Sequence, residues 1–302
     1  MTTLSLGLSG RFRVQKFRNG KCTYDTGFFK NLIVNTGMDQ IGKSNIVYSY
    51  AGVGSGNTPP AVTDTQLKSL IGSGSNVGVS SARIESELRY AVRTKVYTFP
   101  AGRVVGNISE VGTFSSQNLA SSTTVMFSSA LIKDAGGNPT SITVLSDEDL
   151  VVTWELWVKQ PTVDFINAVG SVTFTTRSAK VDDTPSTVSW ANSDGFIAST
   201  GASSQQCATG GISGITGSVA GAITTSAFTF TYSPYVDGSF EREYSITWAT
   251  TAAVGAAIKS FFWTVGIPAF QTEMSVALPP KQNDQTLKFT FKLSWSRDSG
   301  PA

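Results

Sequence analysis

Short runs in which apolar and polar residues alternate, separated by clusters of Gly, Asn, Asp and Ser, dominate the chain. "GRFRVQKFR" reads as a strand with Arg11, Arg13, Gln15 and Phe17 on one face and Phe12, Val14, Lys16 and Arg18 on the other. It meets Asn19-Gly20, a strong hairpin signal, and returns as "KCTYDTGFFKNLIV". In "NTGMDQIG", Asn35 or Thr36 can cap one short helical turn that Gly42 ends. The Gly-rich "YAGVGSGNTPPAVTD" then leads to "TQLKSLIG", predicted as a second helix capped by Thr63 or Asp64 and stopped by Gly72. From about residue 87 strands follow one another: "ELRYAVRTKVYTF", "NISEVGTF", "TVMFSSALI", "SITVLS" and "LVVTWELWV". Strand periodicity lapses at Pro161 in "VKQPTVDFINAVG", and a second strand-rich half runs from "SVTFTTRSA" to "LKFTFKLSWSR". Within it, "STVSWANS" and "EMSVALPP" read as strands and the small-residue stretch 199–222 as a long loop or irregular edge. The pattern predicts an all-β protein of two β-sandwich-like domains, 1–160 and 161–302, with one or two short helices in the first.

The halves echo each other. "YTFPAGRVVGNISEVGTF" and "ITWATTAAVGAAIKSFFWTVG" share a strand, a small-residue corner and a second strand. Further on, Leu150, Thr153, Trp154 and Leu156 align without gaps on Leu287, Thr290, Phe291 and Leu293. Two matches in the same order suggest duplicated β modules.

Composition adds to this picture. At 302 residues the chain can bury a sizeable core, and 40% hydrophobic content excludes a disordered chain. Charged residues are only 15%, against roughly 25% in a usual soluble domain. A charge-poor surface is easier to bury against a neighbouring subunit. The net charge of +2 and the scattered cations argue against sequence-specific nucleic-acid binding, with "RFRVQKFR" the densest basic stretch. Cys22 and Cys207 are too few for a disulfide scaffold and fit a reducing compartment. The N-terminus lacks a signal-peptide pattern, and Lys259 and Pro268 in the apolar window 252–270 favour a buried strand pair over membrane insertion.

Candidate chemistry is thin. "GVGSGN" has the glycines of a phosphate-cradling loop, but Asn57, Thr58, Pro59 and Pro60 follow where a Lys and a hydroxyl residue belong. The chain has no histidine, which removes His-based triads and most catalytic zinc sites. Three acidic clusters remain: Asp147, Glu148 and Asp149; Asp182 and Asp183; Glu241 and Glu243. Each reads as a turn or a solvated strand edge, and none has calcium-loop spacing. Six tryptophans raise sugar stacking, and Trp154 and Trp157 are predicted on opposite strand faces, one of them core. The sequence therefore assigns no catalytic, cofactor-binding or metal-ligating residue and no cofactor, and the chain reads as a non-enzyme.

In "FFKNLIVNTGMDQIG", "GVGSGNTPPAVTDTQLKSL", "YTFPAGRVVGNISEVGTF" and "SSALIKDAGGNPTSITVLSDEDLVVTWEL", the order of motifs resembles tail-associated virion structural proteins of tailed bacteriophages, over roughly residues 25–160. The resemblance implies a structural part, made in the bacterial cytoplasm and carried in the virion tail region. Its partners would be copies of itself and other virion proteins in a tail, neck, collar or fibre-attachment ring. The alternatives are a host-recognition module binding surface glycan through 199–222 and an exposed Trp and, less favoured, a tail-associated glycosidase, which would need two facing carboxylates.

Overall fold

The computed structural model describes residues 2–43, 48–85, 90–119, 121–179, 205–215, 217–224, 227–265 and 269–300. The fold is all-β with sandwich-like domains, and the described residues contain one helix. The first half comprises β1 (Thr2–Arg18), β2 (Lys21–Lys30), β3 (Leu32–Ile33), α1 (Asn35–Lys43), β4 (Tyr50–Gly54), β5 (Leu70–Glu85), β6 (Tyr90–Phe99), β7 (Gly106–Ile108), β8 (Glu110–Phe114), β9 (Met126–Leu131), β10 (Ile142–Val144) and β11 (Asp149–Lys159). The second comprises β12 (Phe165–Val169), β13 (Val172–Ser178), β14 (Gln206–Ala208), β15 (Ala222–Thr224), β16 (Phe228–Tyr232), β17 (Glu241–Trp248), β18 (Ser260–Thr264), β19 (Ala269–Met274) and β20 (Leu287–Arg297). The chain divides into two compact units. An N-terminal unit holds 8–83, 92–158 and 297–302, and a C-terminal unit holds 1–7, 84–91 and 159–296.

In the N-terminal unit one run of paired strands is β5-β4-β8-β9-β3, and β6, β11 and β1 lie side by side with β2 beside β1. Asn19 and Gly20 both have positive φ (52° and 74°), as the tight β1–β2 turn requires. The core is aromatic where Tyr48, Phe127 and Trp154 meet, with ring centroids 4.8–5.6 Å apart. Helix α1 lies close on β9, and a Cβ at Gly37 would collide with the Phe127 carbonyl. That close approach explains a glycine inside a helix.

In the C-terminal unit a six-stranded sheet runs β12-β13-β19-β18-β14-β15, and β16, β17 and β20 pair in order. Its core stacks Trp263 on Phe291 (3.9 Å), Tyr244 on Phe291 (5.5 Å) and Trp248 on Phe261 (5.2 Å).

The two units share one framework of paired strands, to which the N-terminal unit adds the two-stranded sheet β7–β10. The run β5-β4-β8-β9-β3 has its equivalent in β15-β14-β18-β19-β13, and the neighbours β6 and β11 have theirs in β17 and β20. The register agrees to the residue. Glu110 on β8 pairs with Gly54 and Leu131, as Ser260 on β18 pairs with Ala208 and Glu273. The flanking main-chain bonds also match: Ser109 N donates to Gly54 O (2.8 Å) and Lys259 N to Ala208 O (2.9 Å). Likewise Ile132 N donates to Ser109 O (2.8 Å) and Met274 N to Lys259 O (2.9 Å). Val152, Trp154 and Leu156 on β11 are buried at the same alternate positions as Phe289, Phe291 and Leu293 on β20.

Several sequence expectations are corrected. The segment 65–72, expected as a helix, turns and then enters β5, because Leu70 and Gly72 pair with Gly54 and Val53 of β4. Asp64, the expected cap, instead accepts from the Ala61 amide (2.8 Å) and from Lys68 (2.6 Å). The expected single turn at 35–42 extends through Gly42 to Lys43. The lapse at 158–170 contains β12, made possible by the Gly170 turn (φ 60°) that folds it back on β13. The strand read in "EMSVALPP" lies earlier, as β19, and pairs with β18 within and just beyond the apolar window. Part of 199–222 is ordered as β14 and β15. The strand expected in 186–193 lies outside the described residues.

Candidate functional site

The basic stretch is tied down by the protein's own acids. Phe12 and Val14 point inward and are fully buried, so β1 turns Arg11 and Arg13 to the other face. Arg13 pairs with Asp25, which also accepts from Gln15 (2.9 Å) and the Gly27 amide (2.9 Å). The Arg13 hydrogen bonds pull the Asp25 carboxyl down to about 2. Arg11 donates to buried Glu155 (2.6 Å) and lies over the rings of Phe28 (4.2 Å) and Trp157 (4.7 Å). Trp157 gives its indole N–H to the same carboxylate (2.9 Å).

The first acidic cluster is likewise internal. Glu148 is buried, and accepts from the Leu145 amide (2.9 Å) and from Lys16 (3.1 Å), with Arg18 at 3.4 Å. The Leu145 bond first, then Lys16 and Arg18, hold its carboxyl below the usual range against the opposing effect of burial. Asp147 pairs with Arg18 (3.2 Å), and Asp149 accepts from the Ala101 amide (2.8 Å). These acids staple a turn rather than converge on open space. Asp182, Asp183 and Trp190 lie outside the described residues. Glu241 pairs with Lys292 on β20 (2.7 Å), and Arg242 covers the Tyr232 ring (4.0 Å).

The Gly-rich loop does cradle an anion, and the anion is the chain's own. Glu110 Oε1 accepts from the amides of Gly56 (3.0 Å) and Ser69 (2.7 Å), and Oε2 from that of Lys68 (3.0 Å). The carboxylate is buried. A Cβ at either Gly54 or Gly56 would stand 2.5 Å from Oε1, so the two glycines make room for it. Amides that would hold a phosphate are already engaged. Sequence reading passed over Glu110. The signal that could have found it is one acid inside an apolar strand, downstream of closely spaced glycines.

Trp154 and Trp157 do leave opposite faces of β11, yet both are buried, as are Trp248, Trp263 and Trp295. No described tryptophan offers a face for sugar stacking. Cys22 is exposed and Cys207 buried, both as free thiols, and burial pushes the Cys207 thiol up to about 12. Among the described residues no three metal-ligating side chains come together, and no helix is long and apolar enough to cross a membrane.

The surface feature that stands out is apolar. Strand β12 ends the six-stranded sheet, and it and its approach present Val163 (65% exposed), Ile166 (71%) and Val169 (58%). Beside it opens a groove of about 400 Å³, lined by Val169, Phe174, Phe261, Met274, Leu287 and Phe289. In the N-terminal unit Phe29, on the strand leading into β3, is covered by Phe12 of β1 (6.3 Å). Phe174, on the equivalent strand β13, lines the open groove. Such a patch suits a partner surface better than a reaction centre. No protein-family model, curated protein or solved structure matches the chain.

Proposed function

We propose that this chain is a structural component of a tailed-phage virion, built into a tail, neck, collar or fibre-attachment ring through protein–protein contacts. It works by binding, not turnover. The observation that supports the reading is the pairing of a duplicated rigid sandwich with an uncharged, apolar sheet edge at β12. Rigid faces hold their shape without cofactors, and repetition around a symmetric assembly multiplies weak contacts into lasting attachment. The motif order over residues 25–160 adds the phage-tail context. Under this reading the partners are further copies of the chain and other virion proteins, the site of synthesis is the host cytoplasm, and the site of action is the virion tail region. Native mass spectrometry and negative-stain microscopy of the full chain test it. Symmetric oligomers or ordered complexes with virion proteins are expected. A chain that stays monomeric and makes no ordered contact with them would end the proposal.

A further inference from the structure

A sheet edge carries unpaired N–H and C=O groups that can template another strand, and proteins guard such edges with lysine, proline, bulges or shortness. Most edges here are guarded. Strand β2 is bounded by Lys21 and Lys30, carries Asp25, and its pairing with β1 is broken by two register shifts. Strands β3 and β15 are two and three residues long. Strand β16 is uncharged, proline-free and in unbroken register with β17, but its one exposed large apolar side chain is Tyr232 (36%), which lies under Arg242. Strand β12 has none of these devices. Phe165–Val169 is uncharged, lacks proline, and pairs with β13 in unbroken register. The acid just before it, Asp164, is occupied by Arg177 (2.5 Å).

The same segment is self-complementary. Turned antiparallel about Asn167, Phe165 faces Val169 and Ile166 faces Ala168, so no charge meets a like charge. Asn167 and Val169 line the groove, and strand alternation puts Phe165 on that face too. A second copy added in this way would therefore bring its own Phe165 and Val169 to the groove mouth. We propose that β12 is the docking edge for a second copy of this chain, the two β12 strands pairing antiparallel about a two-fold axis through Asn167. The proposal rests on the assembly reading above and names the surface that does it. A five-residue joint with its apolar flanks is small beside the roughly 1,600 Å² of a standard interface. The association is therefore concentration-dependent, with a dissociation constant of about micromolar or weaker.

The test is sedimentation velocity of the full chain across concentration, for wild type, Asn167→Lys, Asn167→Glu and an equimolar mixture of the two variants. Wild type forms dimers as concentration rises. Each variant alone sets like charges against each other at the axis and weakens pairing about 100-fold. The mixture, with opposite charges meeting, recovers the dimer. Thermal melts verify that the variants fold, and Ile166→Glu, on the opposite exposed face of the strand, gives a second disruption should a 167 variant not fold. Wild type that stays monomeric overturns the proposal. So does an Asn167→Lys protein that associates as wild type does, but this second outcome leaves the broader assembly reading intact, because the chain then assembles through another face.

Discussion

At one register position the two units carry different side chains, Glu110 in the N-terminal unit and Ser260 in the C-terminal unit, and each closes the same loop by different means. In the C-terminal unit the loop is zipped by its own backbone: Thr209 N donates to Gly221 O (3.2 Å) and Gly210 N to Ala220 O (3.0 Å). The first of these bonds recurs as Ser55 N to Ser69 O (2.8 Å), but the second does not. There the Glu110 carboxylate is wedged in and takes the amides of Gly56, Lys68 and Ser69 itself. A serine hydroxyl assists in both units: Ser109, next to the plug, donates to Gly56 O (2.9 Å), and Ser260, at the plug's own position, donates to Gly210 O (2.7 Å). One framework thus tolerates a ladder or an ionic plug at the same place. The plug is the more demanding solution, because a buried carboxylate is stable only while its donors stay in position.

The largest effect is expected from removing the plug. Glu110→Ala leaves three amides without their acceptor, that of Gly56 buried and those of Lys68 and Ser69 part-buried, and should cost about 2–4 kcal/mol. Urea denaturation read against the wild type measures it. A loss below about 1 kcal/mol would show that water replaces the carboxylate freely and that the plug is incidental.

A smaller and sharper effect comes from the glycine that houses the plug. A Cβ at Gly54 would stand 2.4 Å from Ser69 O and 2.5 Å from Glu110 Oε1, whereas its equivalent in the C-terminal unit is Ala208, facing the smaller Ser260. Gly54→Ala should cost about 1–3 kcal/mol through overpacking. In a Glu110→Ser background the same change should cost less by about 1 kcal/mol, since the crowding carboxylate has gone and only Ser69 O remains. Additive costs in that double-mutant cycle would mean that Gly54 is required by Ser69 O alone.

These positions also mark what the sequence could and could not disclose. The strands were legible because their alternation is local: Phe12 and Val14 against Arg11 and Arg13, or Leu150, Val152 and Trp154 along β11, need no knowledge of partners. Asn19-Gly20 set its turn for the same reason. The failures have a common cause in long-range pairing. "TQLKSLIG" has a helical look, but Lys68 and Ser69 give their amides to Glu110 and Leu70 pairs with Gly54, contacts that no local window contains. The two sequence echoes, at 97–114 with 246–266 and at 150–158 with 287–295, fall on equivalent strands β6, β8 and β17, β18, then β11 and β20. The edge β12 was missed because a short strand between Pro161 and Gly170 gives too few alternations to register.

The units should also part at opposite ends of the pH scale. Asp25 and Glu148, both in the N-terminal unit, have folded pKa values below their unfolded ones. The Asp25 contribution is therefore present above about pH 4 and is lost as pH falls toward about 2, and the Glu148 contribution is lost in the same direction. Cys207 and Tyr244, in the C-terminal unit, are raised by burial. The Cys207 contribution is full below the ordinary thiol value near 9 and is lost as pH rises toward about 12, and the Tyr244 contribution is lost in the same direction. Acid titration followed by hydrogen exchange should release N-terminal amides first, and alkaline titration C-terminal ones. The same order of release at both extremes would refute this assignment.

The smallest effect belongs to Ser260. Ser260→Ala removes the hydroxyl that donates to Gly210 O, but the ladder from Thr209 and Gly210 to Gly221 and Ala220 remains. The cost should be about 1 kcal/mol, that of one hydrogen bond. Ser109→Ala, which removes the matching bond to Gly56 O, should cost about the same. Near-equality of these two, set against the much larger loss for Glu110→Ala, would assign the asymmetry between the units to the carboxylate alone. If Ser260→Ala proved as costly as Glu110→Ala, the backbone ladder could not be what holds the C-terminal loop, and the two closures would have to share a mechanism that runs through the side chain at this one register position.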